Sequence, residues 1–444
     1  MPHHPAVMQA VESLDYRVTV GDVATQSGLE LAIAQQGLNA LAADTQAHLQ
    51  VSETGEIAYE FPKGFRAILR NKYWRLRLQE TWARIWNVLF YLIRISFGIL
   101  LLLSILVIVV AIAVLVIAMQ SASQRDDDRG GGGGFGGGMV FIPRFWIGDL
   151  YWLFHFNSYS GRRSGRRVQQ RPNRRGQADD GMNFLEAIFS FLFGDGDPNA
   201  DLAERRWREI GGVIQNNGGA IAAEQVVPYL DDLGKGWEKE DEDYILPVLT
   251  RFNGVPEVSP SGEIIYHFPE LQVTAQERGR VAVPAYLKET PQKFSEAKQG
   301  QIAGAIGLGV FNFVGAVFLG ILLQDQAVVA EIGGFIAFVN GIYWLLLGYG
   351  VGFLGIPAGR YFWTKRKNRK IEHRNEQRQE RALALNAAGP ELDEKIAFAR
   401  QFAAQTVVSA DDLAYTTAKD LTEQEYEQRE KLDAEWQKRL EEGS

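Results

Sequence analysis

The chain contains no cysteine. That absence removes disulfides, thiolate nucleophiles and thiolate-held metal clusters from consideration. Histidine is scarce as well. There are six in 444 residues, and only His3 and His4 are adjacent, while His48, His155, His267 and His373 lie scattered. The glycine-rich run "RGGGGGFGGG" at 129–138 lacks the Gly-Lys-Ser/Thr ending of a phosphate loop and reads as part of a flexible tether over 120–138. No Ser-His-Asp set, metal triad or nucleotide motif is present. The expectation is a non-enzyme with no catalytic, cofactor-binding or metal-ligating residues. The N-terminus has no basic region followed by a short apolar run, so no cleavable signal peptide is expected.

What the chain does have is long apolar runs. Ile95 to Met119 is free of charge over 25 residues, enough to cross a hydrocarbon core of ~30 Å at ~1.5 Å per residue. Two further spans are expected at 301–323 and 328–357, joined by the cation-free "QDQAVVAE". Before the first span, residues 63–94 hold eight basic side chains against the single acid Glu80 and read as an amphipathic lead-in helix. Because cations stay on the cytoplasmic side, this lead-in places the N-terminus inside, and Arg360, Lys365, Arg366 and Lys367 put the segment after the third span inside too.

One crossing is then unaccounted for. The aromatic segment "MVFIPRFWIGDLYWLFHFN" at 139–157 either re-crosses or inserts deeply, or else the domain after it lies outside. Both alternatives stay open. The loop at 158–181 carries Arg162, Arg163, Arg166, Arg167, Arg171, Arg174 and Arg175. These are candidate contacts for anionic lipid headgroups, each worth about 1 kcal/mol near the surface, or a solvated topology signal. Asn312, Asn340 and Glu331 are the candidate intramembrane polar contacts, with Gly348/Gly352 and Gly355/Gly359 at helix-packing spacing.

A short phrase is written twice. "VSETGEIAYEFP" (51–62) and "VSPSGEIIYHFP" (258–269) share eight of twelve positions. Each reads as a β-hairpin around a Ser/Thr-Gly-Glu turn; in the first, Val51, Ile57, Tyr59 and Phe61 are expected inward. Three short segments of helical spacing precede the first copy, the third with Leu31, Ala34, Leu38 and Leu41 on one face. Thr19 or Gly21 and Ser27-Gly28 serve as start and stop signals of the middle one. Three helices followed by a hairpin resemble the winged-helix family over 5–62, and again over 198–269. The fold class expected is therefore a mainly α integral membrane protein with two small α+β winged-helix-like domains.

Winged helices commonly bind DNA, but that demands basic side chains against phosphates. Residues 11–62 hold eight acids and one base, Arg17; residues 224–270 hold eleven acids and three bases. No nucleic-acid partner is expected. "FGDGDPNADLAE" spaces Asp195, Asp197, Asn199 and Asp201 like a calcium loop, then breaks: Ala200 stands at the turn glycine and Arg206 at the bidentate Glu. The simpler reading is that Asp197 caps a helix starting at Pro198. The stretch 360–444 is expected as a charged helical tail.

"MNFLEAIFSFLFGDGDPNADLAERRW" (182–207), with "DLYWLFHFNSYSGRR" and "NNGGAIAAEQVVPYLDD", resembles a little-characterised family of cyanobacterial and chloroplast membrane proteins. Plant members of that family are labelled as iron–sulfur cluster biosynthesis proteins, a label these cysteine-free residues do not support. The resemblance implies a thylakoid, plasma or envelope membrane and supplies no catalytic residues. The function expected is a non-enzymatic membrane scaffold or assembly factor docking protein partners through its acidic modules, with a second copy of the chain among the candidate partners. A channel or transport subunit built from oligomerised spans is the alternative, and a membrane-tethered transcription regulator a more distant third.

Overall fold

Thr19 fixes where the second helix begins. Its hydroxyl accepts from the Asp22 N–H (3.1 Å) while the Asp22 carboxylate accepts from the Thr19 N–H (3.0 Å), so two helix-end donors are satisfied reciprocally. In the computed structural model, which describes residues 4–72, 74–126, 182–231, 242–277, 279–387, 389–409, 413–426 and a few isolated positions beyond, this capping box opens α2 (Val20–Ser27). Gly28 ends α2 in the left-handed region (φ 70°), and an added Cβ there would sit 2.6 Å from the Glu204 carbonyl. The chain divides into two units, Met1–Trp82 with Pro198–Pro291 and Arg369–Ser444, and Ala83–Asp197 with Gln292–Asn368.

In the first unit, α1 (Pro5–Ser13), β1 (Arg17–Val18), α2, α3 (Leu31–Thr45), β2 (His48–Ser52) and β3 (Ile57–Glu60) follow in order. Ala34, Leu38 and Leu41 of α3 are buried as their spacing requires. Strand β3 lies between β1 and β2, antiparallel to both, with Val18 and Leu49 each opposite Tyr59. The later part repeats this element order. It contains α7 (Leu202–Asn216), β4 (Ala220–Ile221), a 3₁₀ segment (Ala223–Tyr229), a second one (Asp243–Ile245) running into α8 (Leu246–Phe252), then β5 (Val255–Val258), β6 (Ile264–His267) and the short α9 (Pro269–Gln272). Strand β6 lies between β4 and β5, with Ile221 and Pro256 opposite Tyr266.

The two hairpin turns match bond for bond. Ser52 Oγ accepts from the Glu56 N–H and Ser259 Oγ from the Glu263 N–H, both at 3.0 Å. The Gly55 and Gly262 N–H groups donate to the Ser52 and Ser259 carbonyls, with φ of 89° and 88°. The expected inward face needs one correction. Ile57 is 45% exposed, whereas Ala58 and Tyr59 are both buried. The reason is that both faces of β3 are covered: Tyr59 enters the main core, and Ala58 meets Val273, Ala275, Val408 and Leu413.

One core unites both halves of this unit, running from Val7, Val23, Leu38 and Phe65 to Ile210, Val226, Phe252 and Phe268. Burial of that apolar surface at ~25 cal/mol per Å² is the main force holding them together. The junction is also hydrogen-bonded. Thr19 Oγ1 donates to the Val273 carbonyl (2.9 Å), and Asp22, besides capping α2, accepts from the Ala275 N–H (3.0 Å).

The chain returns to this unit from Arg369 onward. The stretch read as a charged helical tail contains the last part of α12 (Gly334–Asn386), α13 (Pro390–Ala399) and two strands, β8 (Thr406–Val407) and β9 (Leu413–Thr416). Strand β8 pairs in parallel with β7 (Val273–Thr274), and β9 runs antiparallel to β2. The tail reading is corrected accordingly.

The second unit contains most of α5 (Trp74–Asp126), α6 (Phe184–Phe193), α10 (Gln299–Leu322), α11 (Gln326–Ile332) and the start of α12. The lead-in expected over 63–94 is α4 (Phe65–Lys72) followed by α5, which continues as one helix through the expected first span. Three described helices, within Arg84–Gln120, Gln299–Leu322 and Gly334–Asn386, are long and apolar enough to cross a membrane. Ile108, Leu115, Leu319 and Val339 form one cluster between them. Leu101, Ile188, Phe191, Ala305 and Phe353 form another around α6. The tether at 120–138 beyond Asp126, the aromatic segment at 139–157 and the loop at 158–181 lie outside the described residues, and so do all seven arginines assigned to lipid contact.

Candidate functional site

The intramembrane candidates separate into unlike environments. Asn312 is 1% exposed on α10, where its Oδ1 accepts from Ser104 Oγ of α5 at 2.8 Å. In an apolar bundle such a bond ties two helices at about 1 kcal/mol. Asn340 is half-buried and Glu331 exposed, and Asn312 lies beside Gly350, ten residues or ~15 Å of helix beyond Asn340. An added Cβ at Gly348, Gly355 or Gly359 would meet nothing within 4 Å.

The calcium-like loop is a structural knot. Asp195 accepts from Arg94 (2.8 Å), from Ser190 Oγ (2.5 Å) and from the Glu296 N–H (2.8 Å). Arg360 donates to the Ser190 and Phe191 carbonyls (3.1 and 2.8 Å), satisfying the C-terminus of α6, and stacks on Phe294 at 4.2 Å. Asp197 pairs with Lys367 (3.0 Å), and the next helix starts at Leu202 with Asp201 at its cap, so the expected cap at Asp197 is corrected. Four residues of turn, 198–201, precede that helix. Among the described residues no group of three or more His, Asp or Glu could hold a metal ion.

Within the two hairpin-bearing parts of the first unit, Arg17 and Arg251 bond inward. Arg17, the one base among residues 11–62, donates to Gln50 Oε1 (2.8 Å) and to the Ala275 carbonyl. Arg251 donates to the Gly28 carbonyl (2.9 and 2.5 Å) and lies over the Trp207 ring at 4.5 Å. Burial lowers the pKa of both guanidinium groups. The exposed face of α3 carries Ala32, Ile33, Gln35, Gln36 and Asn39 and no cation. Glu53 and Glu263 stand exposed at the hairpin turns, beside the outward Ile57 and Val258.

Two ion clusters were not legible in the sequence. Arg378, 1% exposed, donates to Asp231 (3.0 Å) and the Leu287 carbonyl (2.9 Å) and lies 3.0 Å from Glu289, which also takes both Nε and Nη2 of Arg374 at 2.7 and 2.5 Å. Burial alone would raise the Glu289 and Asp231 carboxyls, but the arginine hydrogen bonds and charges outweigh it and hold both below their ordinary values. Buried Lys395 bridges Glu224 (2.9 Å) and Glu242 (2.5 Å), and Glu242 also accepts from the Tyr266 hydroxyl (2.8 Å). In the sequence these residues look like solvated charge runs; only a strand or helix from far along the chain buries them. Glu209 is the contrasting case: burial pushes its carboxyl up to about 7 despite nearby Arg205, Arg208 and Arg378. Two clefts, of about 190 and about 170 Å³, flank this region; neither gathers a nucleophile with a base.

The most distinctive geometry is the outer edge of β2. Leu49 faces Tyr59 in the register where its own N–H and carbonyl point away from β3. Both are taken by the tail: the Leu49 N–H donates to Thr417 Oγ1 (2.8 Å), and the Thr417 N–H donates to the Leu49 carbonyl (3.0 Å). The position opposite Tyr266 in the second hairpin is Pro256, which has no N–H.

No family model and no solved structure matches the chain. Over 447 aligned residues it is 38% identical to an uncharacterised chloroplastic protein of Arabidopsis thaliana, covering 98% of this chain and 82% of that protein. An identity of that size, sustained along nearly the whole chain, places this protein in the family of the Arabidopsis chloroplastic protein.

Proposed function

We propose that this protein is a non-enzymatic, multi-pass membrane scaffold or assembly factor. Its helical unit anchors it in a photosynthetic membrane of thylakoid or plasma type, and its first unit docks protein partners. The observation that carries the reading is the shared core of the first unit. Residues from before the first apolar helix, from between the first and second, and from after the third fold into one acidic body. Two winged-helix-like modules, related by an internal duplication, account for the repeated element order, the matching sheet order and the identical turns. Their net negative charge and internally bonded bases favour protein surfaces over nucleic acid. The iron–sulfur label of plant members is not carried over, since no cysteine exists to hold or transfer a cluster.

In this reading both hairpins and the tail strand share one compartment, the cytoplasmic side; the single core they form and the distribution of cations support it. A channel around Asn312 and Asn340 is less well supported, because Asn312 spends its Oδ1 on Ser104 and lies beside Gly350 rather than Asn340.

Photo-crosslinkers at Glu53 and Glu263 in the full chain, in its native membrane, test the docking reading. Discrete protein adducts that disappear when Glu56, Glu257 and Glu60 are changed to Lys are expected. Adducts to lipid alone, or duplex DNA shifted at physiological salt, would overturn it.

A further inference from the structure

The edge of a β-sheet is a template for another strand, and folded proteins cover, charge or proline-block such edges. The two hairpins of this protein do so differently. In the second, Pro256 occupies the outward-bonding position of β5. In the first, that position is Leu49, an open donor and acceptor, and a strand from more than 350 residues away lies on it. Gln50, Val51 and Ser52 pair with Thr416, Tyr415 and Leu413, with a register shift between Val51 and Ser52. Little apolar surface holds this strand. Ala414 and Tyr415 are exposed, Leu413 is half-buried against Ala58 and Val408, and Thr416 is fastened mainly by Gln424, which accepts from its N–H (2.9 Å) and donates to its carbonyl (2.7 Å). Short irregular-edged pairing with exposed side chains is the low-stability end of a fold.

We infer that the outer edge of β2 is the strand-accepting docking surface of this protein, closed in the resting chain by β9. The partner is an extended protein segment that adds antiparallel to β2 in place of residues 413–417, as in other β-augmentation complexes. The occupant seen in cis defines its chemistry: an uncharged, proline-free stretch with an aliphatic side chain facing Ala58 and, three and four residues on, two hydroxyl side chains, the second accepting from the Leu49 N–H. Pro256 restricts this mode of capture to the first hairpin, so the two copies differ in role. The inference rests on the docking reading above and deepens it.

The test uses the full-length protein in lipid nanodiscs and a fluorescein-labelled synthetic peptide, LAYTTAKDLTEQ, copied from residues 413–424. Thr417→Pro removes both bonds to Leu49 and frees the edge. The peptide is expected to bind this variant at least tenfold more tightly than the unmodified protein. Adding Leu49→Pro, which copies the second hairpin, is expected to abolish binding. No binding to Thr417→Pro, or equal binding with and without Leu49→Pro, would overturn the inference. Hydrogen exchange on the unmodified protein tests it without a variant: the Leu49 amide is expected to exchange at least tenfold faster than the inward-bonded Gln50 amide, and equal rates contradict a releasable strand. If Leu49→Pro leaves the crosslinks from Glu53 intact, protein docking stands and strand addition alone falls.

Discussion

Glu209 is a carboxyl held near neutrality by its surroundings, and the sign of its effect on stability follows directly. A folded-state value of about 7 lies above the ordinary carboxyl value, so the folded protein binds the proton more tightly than the unfolded chain. Its contribution is favourable at low pH and is lost as pH rises through about 7. Glu209→Gln is therefore expected to raise the thermal midpoint at pH 8 and to leave it nearly unchanged at pH 5, read by scanning fluorimetry at both values. Asp231 and Glu289 behave oppositely. Their carboxyls are held low by Arg378 and Arg374, so their contribution is present at neutral pH and disappears as pH falls below the ordinary carboxyl range. Removing Arg378 takes one of two arginine partners from each carboxylate, since Glu289 keeps Arg374 and the exposed Asp231 keeps Arg206. Arg378→Met is therefore expected to destabilise the first unit by about 1–3 kcal/mol, the cost of a lost buried hydrogen-bond donor; denaturant titration measures this.

At the scale of elements, the matched turns give a test with an internal control. Gly55 and Gly262 hold the same left-handed conformation with open space around both, so Ala at either costs backbone strain and no clash. Each substitution is expected to cost about 1 kcal/mol, and the two costs to agree within about 0.5 kcal/mol. A large cost at one turn and none at the other would show that the hairpins are not equivalent. Thr19→Ala is expected to cost more than the ~1 kcal/mol of an isolated cap, because Thr19 Oγ1 and Asp22 also bond across to Val273 and Ala275.

What the sequence disclosed, and what it hid, also divides by element. The turns and the cap at Thr19 were legible because each is set by residues within four positions of one another. The apolar helices were legible because composition alone marks them. Helix α6 had its own local signal, an Asn183–Glu186 box before an apolar run, which the spacing of the longer spans overshadowed. Strand β9 had none: "LAYT" becomes a strand only because Leu49 offers an edge far along the chain. The same remoteness concealed Arg378 and Lys395, whose partners belong to segments 147 and 171 residues away.

At the scale of the whole molecule, the central claim is that the first unit is one body on one side of a membrane. The cysteine-free chain makes this directly measurable, since each introduced thiol is unique. Thr54→Cys and Ser261→Cys place a thiol on each exposed hairpin turn, Ala418→Cys places one beside the tail strand, and Gln324→Cys places one between the second and third apolar helices. With a membrane-impermeant maleimide applied to sealed, oriented vesicles, the first three are expected to label from one side and Gln324→Cys from the other. Labelling of Thr54→Cys and Ser261→Cys from opposite sides would contradict the account.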